Sequence, residues 1–273
     1  MPYYQSYTYT TSNQYLIDLA AFAAANGWTI DLDVVYLTSW RRLHIHKGAA
    51  HYEFRSSTAT VYNVSGCTGY GGTSPTTAPG YCGAERTIVS VVGQEYAFVS
   101  TQNALYFQNA QILSSWGCLF TIVDKVGSYT EGFGFIGAGA GLLFGTVACT
   151  TSTGGAQVFY NGAWSTAAAN TVPGGALVGI VTSTMPIPTI NQPNMYNAGL
   201  TPCPVLLMIA YTLDASKRIP LGFAPGYFLS NPGSIYSIWD EIIIGADTYL
   251  FANQSNEAFK NTAYGAILFK LGA

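Results

Sequence analysis

Charge is what this sequence has least of. Asp, Glu, Lys and Arg make up 8% of its 273 residues, where globular domains carry about a quarter. The ten basic residues are scattered and the net charge is −3. No cationic stripe of the kind that tracks a phosphate backbone results, which argues against nucleic acid as a partner. Long apolar runs are also missing. The longest, 133–148, is broken by Gly134, Gly137, Gly139, Gly141 and Gly145. It falls short of the ~20 residues that a spanning helix requires, and that much glycine makes a poor helix, so no membrane segment is expected. The opening Met1-Pro2-Tyr3-Tyr4-Gln5 lacks the basic and apolar regions of a secretory signal.

Cysteine is sparse and unpatterned. Cys67, Cys82, Cys118, Cys149 and Cys203 contain no CxxC pair, which argues against a zinc knuckle. They read as buried thiols of a chain made in a cytoplasm. Cys67 and Cys82, flanking a Gly/Thr/Pro stretch, are the pair that would suit a disulfide in an oxidising setting. A GxSxG elbow is missing too. The run Gly137-Ala138-Gly139-Ala140-Gly141 lacks the helix and ribose-binding acid of a dinucleotide fingerprint, and reads as a turn between strands. Carboxylates are few. Asp240 and Glu241 are adjacent and would face opposite sides of a strand, unlike a hydrolase pair converging across a cleft. Asp31 and Asp33 would share a strand face, but a surface turn after Trp28 accounts for them equally well. The expectation is a chain that is not an enzyme, has no catalytic residues and binds no cofactor.

What fills the space left by charge is Gly (30), Tyr (20) and Phe (14), with Thr, Asn and Ser. Tyr15, Leu16, Leu19, Phe22 and Ala23 recur at helical spacing, with Ser12 or Asn13 available as a cap and Asn26-Gly27 as a left-handed stop. Trp28 would fold back onto the apolar stripe. After it the period becomes two. Leu43 to His46 and His51 to Phe54, joined by Lys47-Gly48-Ala49-Ala50, read as a hairpin. Short β-rich runs follow at 58–64, 87–92, 104–107, 119–123, 133–136, 141–148, 157–160, 177–181, 205–211, 242–244, 248–251 and 266–270. Two Pro- and Gly-rich stretches, 66–83 and 184–204, read as long loops. The fold class is therefore mainly β (α+β). An arm, helix and hairpin module, 1–57, precedes an antiparallel β-sandwich-like body, 58–273, either as a separate unit or as one continuous domain with it.

All three histidines lie in the hairpin. His44 and His46 share a strand face, and the turn brings His51 beside His46, a geometry suited to zinc or iron. Arg41, Arg42 and Lys47 nearby favour instead a polar strand face. The expectation is no metal, with His44, His46 and His51 the residues to which one would go. Tyr3, Tyr4, Tyr7 and Tyr9 alternate with uncharged polar residues in an extended arm suited to augmenting a neighbour's sheet. Tyrosine suits both protein interfaces and sugar stacking, and interfaces are the preferred reading here.

The helix closed by Ala25-Asn26-Gly27-Trp28-Thr29 and the hairpin from Leu43 to Phe54-Arg55-Ser56-Ser57 resemble the start of structural proteins from tailed bacteriophages. The segments 104–107, Trp116, 127–135, 245–253 and 264–266 resemble the same proteins. This resemblance implies a virion component of the tail, baseplate or neck. Its partners would be other virion structural proteins and copies of itself in an oligomer or multi-copy ring. The family brings no catalytic residues with it. The alternative is a host-recognition module of a tail fibre or spike, binding surface glycans.

Overall fold

A computed structural model describes residues 4–36, 40–83, 85–109, 116–138, 155–171, 202–211, 214–230, 237, 239–252 and 266–271. The chain is mainly β, with one α-helix among the described residues. Strand β1 (Tyr4–Thr8) leads into α1 (Ser12–Ala25), followed by β2 (Thr29–Tyr36), β3 (Trp40–Lys47), β4 (Ala50–Thr58), β5 (Val61–Cys67) and β6 (Arg86–Val89). The rest of the chain runs through β7 (Glu95–Ser100), β8 (Ala104–Asn109), β9 (Trp116–Phe120), β10 (Asp124–Lys125), β11 (Glu131–Ala138), β12 (Gly155–Tyr160) and β13 (Ala163–Thr171). Strands β14 (Cys203–Tyr211), β15 (Asp214–Ser230), β16 (Glu241–Ile244), β17 (Asp247–Ala252) and β18 (Ala266–Leu271) complete it. Strands β2 to β6 form one antiparallel sheet in chain order; the others form a larger one running from β1 at one end to β16 at the other.

The helix is fixed at both ends by local chemistry. Its N-cap is Thr11, whose hydroxyl accepts from the Gln14 amide at 3.1 Å. The expected caps are engaged elsewhere: the Ser12 hydroxyl donates to the Thr58 carbonyl, and Asn13 accepts from the Ser56 hydroxyl at 2.6 Å. Both tie the start of α1 to β4. At the other end Gly27 takes φ +80°, the Gly27 amide reaches the Ala24 carbonyl and the Trp28 amide the Ala23 carbonyl. These two bonds are the Schellman pattern, and buried Trp28 and Ala23 supply its hydrophobic contact. The β3–β4 turn is equally determined. Gly48 at φ +61° followed by Ala49 outside the positive-φ region is the II′ pattern that matches strand twist.

One core joins α1 to both sheets. Leu16, Leu19 and Phe22 meet Leu43, Ile45, Tyr52 and Phe54 of the small sheet and Phe98, Phe107 and Phe135 of the large one. Position 57/58, the expected module boundary, falls inside β4, whose partner β5 lies beyond it, and both halves share this cluster. The two parts are therefore one packed body. The tyrosine arm is corrected as well. Strand β1 pairs antiparallel with β7 of its own chain, and Tyr9 is fully buried, its hydroxyl donating to the Ala59 carbonyl at 3.0 Å. Tyr4 and Tyr7 are half-buried, and Tyr3 lies outside the described residues. Tyrosine is in large part a core residue here: Tyr9, Tyr15, Tyr52, Tyr62, Tyr96 and Tyr106 are all fully buried.

Other boundaries shift for identifiable reasons. The run 58–64 is not one strand: β4 ends and β5 begins across Ala59-Thr60. Strand β2 replaces the turn after Trp28. Strands β7, β13 and β15 lie outside the expected runs, because Ala, Ser and Gly dilute their alternation. The expected strands 141–148 and 177–181, and the Pro-rich stretch up to residue 201, lie outside the described residues. Late strands curl back over early ones. Tyr106 of β8 donates to the Pro225 carbonyl and packs on Phe269, while Tyr4 lies 5.3 Å from Trp239. No helix among the described residues is long and apolar enough to cross a membrane.

Tyr52 stitches the sheets together, its hydroxyl lying 2.6 Å from the carbonyls of Phe120 and Gly134, which its single proton serves in turn. Tyr52→Phe removes that donor from a fully buried site, so denaturant unfolding should show a loss of about 1–3 kcal/mol with an unchanged m-value.

Candidate functional site

The small sheet has two unlike faces. Leu43, Ile45, Tyr52, Phe54, Tyr62 and Val64 point into the core, so strand alternation sends Arg42, His44, His46, His51, Glu53 and Ser65 to the other side. That face is polar, yet much of it is buried: Arg42, His44, Glu53, Asn63 and Ser65 are all inaccessible. Part of its cover is the segment 68–83, which matches the expected loop apart from Gly66 and Cys67, the last residues of β5. The Tyr70 ring sits edge-on to His44 at 5.1 Å, and the Gly72 carbonyl accepts from Arg42 at 3.2 Å. The loop is clasped from its far side by Trp164, whose indole donates to the Gly80 carbonyl at 2.7 Å. The same indole lies flat against Gly66, where a Cβ would fall 2.2 Å from the ring.

A continuous polar chain runs beneath the loop. Arg42 forms a buried ion pair with one Glu53 oxygen; the other lies 2.7 Å from His44 Nδ1. His44 Nε2 is in turn 3.1 Å from His51 Nδ1 and 3.6 Å from Asp31 Oδ2. Asp31 Oδ2 lies 2.7 Å from His46 Nδ1, and the His46 and His51 rings stack at 4.6 Å. With Glu53 accepting at Nδ1, the His44 ring turns its Nε2 toward the cluster. Burial, reinforced by His46 and His44 and opposed by Asp31, pushes the His51 pKa down to about 4, so this ring is neutral at neutral pH.

The structure thus brings all three sequence candidates together and adds Asp31, Glu53 and Arg42. Asp31 joins through a β-bulge. Ile30 pairs with Ile45 but Leu32 with His44, so Asp31 is the extra residue of β2 and is turned toward the histidines. The same bulge parts Asp31 from Asp33, which regular alternation would keep together; Asp33 instead faces Arg41 in a bidentate pair at 2.5 Å. A bulge leaves no mark in the residue pattern. The Glu53 partnership, by contrast, follows directly from hairpin register, since Glu53 lies opposite His44.

The remaining candidates resolve simply. Cys67 and Cys118 are buried thiols, their pKa raised by that burial, and Cys67 and Cys82 form no disulfide. Asp240 accepts from the Ser237 amide at 2.7 Å in the turn before β16, and Glu241 opens that strand in an exposed position. No protein-family model and no curated protein matches this chain.

Removing the Glu53 carboxylate would strand the Arg42 guanidinium in a buried site and leave His44 Nδ1 without its acceptor. Glu53→Ala is therefore expected to cost about 3–5 kcal/mol in equilibrium unfolding, the range for breaking one side of a buried pair.

Proposed function

We propose that this chain is a structural component of a tailed-phage virion, in the tail, baseplate or neck, acting through subunit–subunit contacts as one of several copies. The observation that carries this reading is where its few charges go. Arg41 pairs with Asp33, Arg42 with Glu53, Arg55 with Glu85 and Lys270 with Asp247. In a chain with only ten basic residues, such internal pairing leaves few unpaired charges to keep the surface solvated and apart from its neighbours.

The sheet edges support the same reading. Among the described residues β1 and β16 end the large sheet and β2 ends the small one. Edge strands are normally guarded by charge, proline or cover. Here β1 reads Tyr-Gln-Ser-Tyr-Thr, Val35 on β2 is 64% exposed and Ile243 on β16 is 77% exposed. A neighbouring copy that adds a strand to one such edge makes a heterologous contact, which closes into a ring when the rotation between copies closes. Edge addition takes the place of an exchanged tyrosine arm, because the arm already completes its own sheet. The glycan-binding alternative gains nothing from the buried tyrosines, whose rings are not available for stacking on sugar.

The reading is tested by probing purified virions of the encoding phage with an antibody raised against the chain. Labelling of the tail, baseplate or neck is expected, and particles that lack the chain would refute it. The β2 edge has its own test. Val35→Glu changes an exposed side chain and should leave the unfolding free energy of the purified chain within the small range of surface substitutions, about ±0.5 kcal/mol. It should shift sedimentation toward the monomer, or reduce incorporation into particles, if β2 meets a neighbour.

A further inference from the structure

We infer that Asp31, His44, His46 and His51 form a binding site for one divalent transition-metal ion, with zinc the best fit. One donor atom from each of Asp31, His46 and His51 lies within 4.8 Å of the others. His44 Nε2 stands 3.1 Å from the His51 donor and 3.6 Å from Asp31 Oδ2. Ligands around a tetrahedral zinc at ordinary bond lengths are about 3.3 Å apart, so donors up to 4.8 Å apart must draw together to close on an ion. Three imidazoles and one carboxylate are a donor set for zinc and its neighbours, and unsuited to calcium or magnesium. Four protein ligands with no open position describe a structural site rather than a catalytic one.

Two further features belong to a metal site more than to a polar strand face. Glu53 holds His44 by its remote nitrogen, the carboxylate–histidine arrangement that orients a ligating ring and raises its basicity. Of the three cationic neighbours that argue against a metal at the level of sequence, Arg42 is neutralised by Glu53 and Arg41 by Asp33. Binding replaces two internal contacts, His51 to His44 and His46 to Asp31, with bonds to the ion. In each of those two rings the proton must leave the nitrogen that ligates the ion, so the affinity falls as the pH falls. The ion would join the β2 bulge to the β3–β4 hairpin directly under the Tyr70 loop.

The test uses untagged full-length chain, dialysed against chelator and titrated with zinc chloride and separately with cobalt chloride. Binding of one equivalent per chain is expected, with micromolar or tighter affinity, a raised melting temperature, and the visible absorption of tetrahedral cobalt. Asp31→Asn and His46→Ala, both at partly exposed positions, should each weaken binding at least tenfold. Glu53→Gln, which keeps the shape of the positioning residue but not its charge, should weaken it by about 10–100-fold. Circular dichroism establishes that each variant is folded. A folded wild-type chain that takes up no zinc at tens of micromolar overturns the inference. So does one-to-one binding of undiminished affinity in the Asp31→Asn/His46→Ala double variant, which would place the ion elsewhere, at the cysteines for instance.

Discussion

A tyrosine in a core brings a hydroxyl that has to find an acceptor, and this obligation governs how the parts of the molecule sit on one another. Tyr52 reaches from the small sheet to carbonyls of β9 and β11, Tyr9 to the Ala59 carbonyl beyond β4, Tyr96 to Asp18 on α1 and Tyr106 to Pro225 on β15. A core of Leu and Val could slide by a fraction of a residue at modest cost. A core of hydroxyl-bearing rings cannot, because each slip would bury an unsatisfied oxygen. The aromatic contacts add direction: Tyr15 stacks on Tyr62 at 4.4 Å and meets Phe98 edge-on at 5.1 Å. The helix is thereby held against both sheets at once.

The same logic extends to the other side of the small sheet. A polar face that is also covered must find its partners within the chain, and a connected series from Arg42 through Glu53 and His44 to Asp31 supplies them, with Arg42 Nη2 alone in the series left without an acceptor. The low charge of the chain therefore has a structural side. Several of the charges it keeps are placed where a particular partner waits for them. This separates the protein from domains of similar size whose charged residues are mostly interchangeable.

How much of this was legible in the sequence depends on the range of the interaction that decides each feature. The helix, its Asn-Gly stop, Trp28 folding back and the two-residue hairpin are set by neighbours in sequence, and all are present as read. The hairpin also forecast that His44, His46 and His51 would meet. The N-cap was displaced by one or two residues because Ser12 and Asn13 are claimed by β4, a contact no local rule contains. Asp31 was hidden by the bulge, and the arm was misread because its partner, β7, lies some 90 residues away and its alternation alone does not say whose sheet it joins. The tyrosines were assigned to the surface on average behaviour, which the hydrogen bonds available inside this core override.

Tyr4, on the first strand of the large sheet, touches Trp239 beside its last. Contacts between such distant positions form late, since the loop they close must be ordered before they return any stability. The body of this protein cannot be completed while a ribosome still holds the later strands. Until then β1, β7 and β8 are without the segments that cover Tyr106, and a partly made chain differs in shape and stickiness from a finished one. Under the assembly proposed above, the timing of closure becomes a filter on which chains are fit to join.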